Sequence, residues 1–123
     1  MTIRVDRSLS GSLAGRADGR VLVIDNFRSW SCGIWVGDLT VVWSPVPSTD
    51  EFTELVPLEG VAVYARRRLV RLLDAAGPTI NRNHLSFFGG LRIALDRPEL
   101  WIDYLDRPQA WAPVSSDVPG PAA

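Results

Sequence analysis

The sequence predicts an α+β domain: a mainly antiparallel sheet of two hairpins plus a short strand, with two helices packed on one face. Three observations carry this. Two stretches alternate apolar and polar residues around short glycine-containing turns. Two others place apolar residues at helical spacing and end in Gly or Pro. The elements run strands, helix, strands, helix, an order that suits helices layered on an antiparallel sheet.

Residues 1–19 include SLSGSLAGRADG, rich in Ser and Gly, and read as a flexible lead-in. RVLVID (20–25) is almost continuously apolar and reads as a short strand buried on both faces. The stretch Trp30 to Trp43, WSCGIWVGDLTVVW, reads as the first hairpin. Gly37-Asp38 would be its turn, with Gly at the position a type II′ turn prefers. In that register Trp30, Cys32, Ile34, Val36, Leu39, Val41 and Trp43 share an apolar face, while Trp35 and Val42 share the mixed one.

SPVPSTDEF (44–52) reads as a loop, and a short extended piece follows over 54–58. VAVYARRRLVRLLDAA (61–76) has apolar residues at 61, 65, 69, 72, 73 and 76. This is helical spacing, closed by Gly77 and Pro78, although the first turn is also compatible with strand. The second hairpin is expected over 79–95, running up from His84 to Phe88, turning at Gly89-Gly90 and returning from Leu91 to Leu95, with Phe87 and Arg92 on one face. DRPELWIDYLD (96–106) reads as a short helix with Asp96 as N-cap and Glu99 completing a capping box; it buries Leu100, Trp101, Tyr104 and Leu105. The single domain is thus placed at 20–111, followed by a disordered tail over 112–123.

The bulk chemistry narrows the function classes. The chain has 123 residues, enough for one core and too few for two. The formal net charge of −1 argues against a nucleic-acid partner. All thirteen basic residues are Arg. The absence of Lys excludes Schiff-base and P-loop chemistry and has the look of a bacterial, GC-rich coding bias. One cysteine allows no intrachain disulfide, no secretory leader is visible, and no apolar run approaches a membrane helix. A cytoplasmic protein without membrane contact is expected. No cofactor motif occurs, and one His with one Cys is a poor start for a metal site.

Against this background four sets of residues stand out. Cys32 and His84 would be nucleophile and base if the fold brought them together, although the Gly37-Asp38 turn would put the thiol against apolar neighbours, where it is inert. Arg67, Arg68 and Arg71 form the densest basic patch, either the wet side of a helix or an acidic-partner surface; Asp74 would pair with Arg71. Asp96, Glu99, Asp103 and Asp106 spread along one helix as its solvated face. Trp35, Val42 and Phe87, with Arg92 beside them, make a candidate binding surface, since exposed aromatic and apolar groups mark partner sites.

The first expectation for function is therefore a protein-interaction or accessory module whose partner is another protein or a second copy in a homodimer. A small Cys32/His84 enzyme is one alternative. The other is a binder of a small ligand between sheet and helices, with Arg92 as counter-charge.

Overall fold

The computed structural model describes residues 1–83 and 90–113. The α+β class stands: the described residues form seven mostly antiparallel strands in two sheets and three α-helices. The larger sheet has the order β3 (Ile34–Ser44), β2 (Val21–Ser31), β5 (Val63–Arg66), β4 (Phe52–Glu54). The smaller has the order β1 (Arg4–Val5), β6 (Pro78–Arg82), β7 (Leu91–Leu95). The helices are α1 (Leu13–Ala17), α2 (Val70–Ala76) and α3 (Glu99–Asp106), and a 3-10 turn, Arg67–Leu69, leads into α2. No helix among the described residues is long and apolar enough to cross a membrane.

The first hairpin turns five residues earlier than expected. Strands β2 and β3 pair over their whole length, from Val21↔Ser44 to Ser31↔Ile34. The turn is Cys32-Gly33, with φ of 50° and 84°. Two successive left-handed residues make the type I′ turn whose twist matches that of its strands. Gly37 lies mid-strand with an ordinary negative-φ backbone. Its hydrogen side is filled, because a Cβ there would sit 2.1 Å from the Phe27 carbonyl oxygen. Gly37 thus answers to a close approach rather than to a turn. Cys32 moves with this correction from the expected apolar face to an exposed turn.

Position parity in the new register sorts the larger sheet. Leu22, Ile24, Leu39, Val41, Val63 and Ala65 share the inner face and belong to the core. The outer face carries Val23, Asp25, Phe27, Ile34, Val42, Tyr64 and Arg66. Ile80 and Ile93 of the smaller sheet, Leu72, Leu73 and Ala76 of α2, and Trp101, Tyr104 and Leu105 of α3 complete the core.

Three further expectations are corrected. The helix predicted over 61–76 is a helix only in its second half. Val61, Val63 and Ala65 are buried while Ala62, Tyr64 and Arg66 are half-buried, the period of two of a strand. The helix stop is right, since Gly77 takes the left-handed cap with φ of 69°. Second, the segment 1–19, expected to lie outside the domain, adds β1 to the smaller sheet and packs Ile3, Leu9 and Leu13 into the core. Third, the strand that faces Leu91–Leu95 is not 84–88: β6 pairs with β7 from Pro78↔Leu95 to Arg82↔Leu91, so Pro78 stands opposite Leu95 where His84 was expected. The stretch expected as its first strand, including His84 and Phe87, lies outside the described residues, as does 114–123 of the expected tail.

Helix α3 buries Trp101, Tyr104 and Leu105 as its spacing predicts, whereas Leu100, also expected inside, is half-buried. Its N-cap is Pro98 rather than Asp96, and no side chain caps it. Asp96 instead takes the Arg4 guanidinium in an ion pair that ties the N-terminal strand to the end of β7.

Candidate interaction surface

Strand β5 pairs with β2 only at Leu22, Val23 and Ile24. Beyond that point, among the described residues, β2 and β3 continue to the Cys32-Gly33 turn with no further strand paired to them. Residues 25–40 therefore form a two-stranded arm projecting past the four-stranded sheet. A bare hairpin is marginal in water and needs packing on at least one face.

The inner face of the arm supplies that packing. Trp30 and Trp35 are directly opposite one another, with ring centroids 5.1 Å apart in an edge-to-face arrangement. The Arg28 guanidinium lies 3.4 Å from the centroid of the Trp35 ring, a cation–π stack. Arg28 Nε also donates to the Leu105 carbonyl at 3.0 Å, and Trp101 Nε1 donates to the Gly37 carbonyl at 3.3 Å. Two bonds thus fasten the arm to α3. Trp35 packs against the core edge.

Among the described residues the outer face and the tip have no such cover. Phe27 is 57% exposed, Trp30 59%, Ile34 61% and Val42 52%. Phe27, Ile34 and Val42 share the outer face, whereas Trp35 points to the inner one. The structure therefore separates Trp35 from Val42, which the Gly37-Asp38 turn had put together. It gathers instead Phe27 and Ile34, neither of which the sequence reading singled out. The signal available was the second two-residue turn that the sequence offers, Cys32-Gly33, which brings residues 25–31 into the strand; 26–31 carry no strict alternation of their own.

At the root of the outer face sits an ion-pair cluster. Arg66 Nε and Nη2 grip the two carboxylate oxygens of Asp25 at 2.7 and 2.8 Å. Arg66 also reaches Glu51 at 3.2 Å, and its guanidinium lies 4.5 Å from the Phe52 ring centroid. Burial alone would raise the Asp25 carboxyl. The Arg66 hydrogen bond, the Asn26 N–H and the charges of Arg66 and Arg68 outweigh it and hold the group below the usual carboxylate range. Asp103 is also lowered, first by its hydrogen bonds from Arg107 and then by the Trp111 indole N–H.

The basic patch does not act as one surface. Arg67 Nη2 donates to the Thr49 carbonyl at 2.6 Å, and Arg71 Nη1 to the carbonyls of Ala110 and Ala112. Arg68 donates to the Tyr104 hydroxyl at 3.2 Å and to Asn26 Oδ1 at 2.9 Å. Each arginine tethers a different segment. Asp74 pairs not with Arg71 but with the N-terminal amine, at 3.6 Å. Arg68 and Arg28 face a common cleft, of about 530 Å³, lined also by Asn26, Phe27, Tyr104 and Pro108.

A second cleft, of about 460 Å³, lies between β3, β7 and α3. Arg92 lines it with Leu39, Ile93, Trp101 and Ile102, and the carboxylate residues Asp38 and Glu99 line it too. At Cys32 the contact to the thiol is Ser31 Oγ at 3.9 Å. Among the described residues no His, Cys, Asp or Glu side chains gather in threes as a metal site would require. No protein-family model matches the chain, and no curated protein aligns with it, so the functional reading rests on this geometry.

Proposed function

We propose that this domain is a protein-interaction or accessory module that presents the outer face and tip of the β2–β3 arm to another protein or to a second copy of itself. One observation carries the reading: Phe27, Trp30 and Ile34 are each more than half exposed on the projecting arm, and Val42, also more than half exposed, continues its outer face at the base. A folded chain gains by burying such groups, and clustered aromatic and branched side chains supply the anchors of protein interfaces. The arm's other face is fastened to α3, so the exposed one is held ready without ordering cost.

The double variant Phe27→Ser, Ile34→Ser tests this. Both side chains are solvent-exposed, so the melting temperature should stay within a few degrees of wild type. Native mass spectrometry and pull-down from the host should then show loss of the dimer or captured partner. Unchanged association in the folded double variant would overturn the reading.

The cleft lined by Arg92 favours a second reading, a small ligand held between sheet and helix. The apolar walls suit it, while Asp38 and Glu99 offset the arginine's charge. Retained ligand in an Arg92→Ala variant would count against that role.

A further inference from the structure

We propose that the partner surface includes the open edge of β2, and that it takes an extended acidic peptide as an added strand, with a side-chain carboxylate or phosphate placed between Arg28 and Arg68. This rests on the interaction-module reading and names the chemistry of the partner.

The backbone parity defines the edge. Leu22 N–H donates to the Ala62 carbonyl, away from β3. In an antiparallel pair alternate residues direct their N–H and C=O groups to opposite sides. Asn26, Arg28 and Trp30 have the same parity as Leu22, so their main-chain groups also point away from β3. Strand β5 has ended by then, at Arg66, and the chain turns into the 3-10 segment. Among the described residues, Arg28 and Trp30 N–H find no acceptor across this edge, and the Asn26 N–H turns back to Asp25 Oδ1. The open stretch from Asn26 to Ser31 is about 20 Å long, enough for a short strand.

Charge selects the occupant. The 530 Å³ cleft runs beside Asn26, Phe27 and Arg28 on this edge. The nearest carboxylate to Arg68 is Asp25, 3.7 Å away and already held bidentately by Arg66. Arg28 has no carboxylate partner among the described residues; its Nε is used on the Leu105 carbonyl, and its face rests on Trp35. Two arginines therefore face the cleft with charge to spare. Each is fixed in place, Arg68 by Tyr104 and Asn26 and Arg28 by Trp35. Held guanidinium groups beside open main-chain donors are the arrangement by which a sheet edge reads an acidic strand: backbone bonds supply affinity and side-chain pockets supply selectivity.

The probe is a fluorescein-labelled peptide of alternating Glu and Val, titrated into the full chain at low salt. Anisotropy reads binding, and amide hydrogen exchange by NMR reads the site. The Glu–Val peptide should bind at least about tenfold more tightly than an alternating Lys–Val peptide. It should slow exchange at Arg28 and Trp30. Arg68→Gln and Arg28→Gln should each weaken it by roughly three- to tenfold. Because Arg28→Gln also removes the stack on Trp35, a Glu–Val peptide N-methylated at alternate positions provides a second arm and should not bind. No binding, equal binding of the two charge types, full binding of the methylated peptide, or unchanged exchange at Arg28 and Trp30 would each overturn the proposal. If none of these peptides binds while Phe27→Ser, Ile34→Ser still abolishes association, the arm remains an interface and only its acidic partner is refuted.

Discussion

Replacing Gly37 by Ala should cost this fold more than replacing any turn glycine. The added Cβ would lie 2.1 Å from the Phe27 carbonyl oxygen and 3.0 Å from the Arg28 Cα. An ordinary C···O contact needs roughly 3.3 Å, so the facing strand would have to retreat by about 1 Å. Both neighbouring atoms are backbone, and Phe27 is paired with Asp38 in the ladder. That retreat would disturb one or two ladder bonds and the Trp101 Nε1 bond to the Gly37 carbonyl. At about 1 kcal/mol for each bond, with some overpacking strain, the loss is about 2–4 kcal/mol. For a domain of this size that lowers the melting temperature by roughly 8–16 °C. Gly33→Ala is the internal control. Its Cβ would meet nothing within 4 Å, so only the φ of 84° is strained, at about 1–2 kcal/mol. Urea unfolding of the two variants, followed by tryptophan fluorescence, measures the order of the two costs. A hairpin turning at Gly37-Asp38 would reverse it. If Gly37→Ala stays within about 0.5 kcal/mol of wild type, or Gly33→Ala proves the costlier change, the full-length β2–β3 register is wrong.

Two other outcomes follow from the packing and the charges. Leu13→Ala removes a fully buried side chain from α1 and should cost about 2–4 kcal/mol in urea unfolding; a loss below about 0.5 kcal/mol would mean that residues 1–19 do not pack as described. The lowered Asp25 carboxyl means that the unfolded chain binds its proton more readily than the folded one. Its contribution to stability is therefore present above about pH 4 and fades as the pH falls through the lower folded value. Asp25→Asn should accordingly lower the urea midpoint at pH 7 and lower it much less at pH 3. An equal difference at the two pH values would show that the Asp25–Arg66 pair carries no linkage.

Whatever is decided within one turn or one strand was legible in the chain. The buried stripe of α3, the stop at Gly77 and the strand Leu91–Leu95 follow from local periodicity and from residues whose preferences act over a few positions. The α+β class follows from the order of those segments. Function was less legible, because the exposed group depends on register. One sequence offers both SCGI and VGDL as two-residue turns, and the choice between them sets which side chains share a face. Trp35 turned inward and Phe27 and Ile34 outward only once that choice was made.

Tertiary structure made the choice, and the reasons are physical. Turning at Cys32-Gly33 pairs eleven residues on each strand, so far more backbone groups find partners than in a hairpin turning at Gly37. The missing side chain of Gly37 admits the Phe27 carbonyl, and its own carbonyl receives Trp101 from a helix some sixty residues away in sequence. Strand 63–66 illustrates the same dependence. Its apolar residues fit both a helical and an alternating period, and pairing with β2 decided for the strand, which brings Arg66 to Asp25. By itself the sequence determined the apolar stripe of α3, the stop of α2 and the strand at 91–95, together with the absence of Lys and of a second Cys. Only the fold determined which aromatic groups stand in water, because that depends on contacts between segments that the chain's local preferences leave undecided.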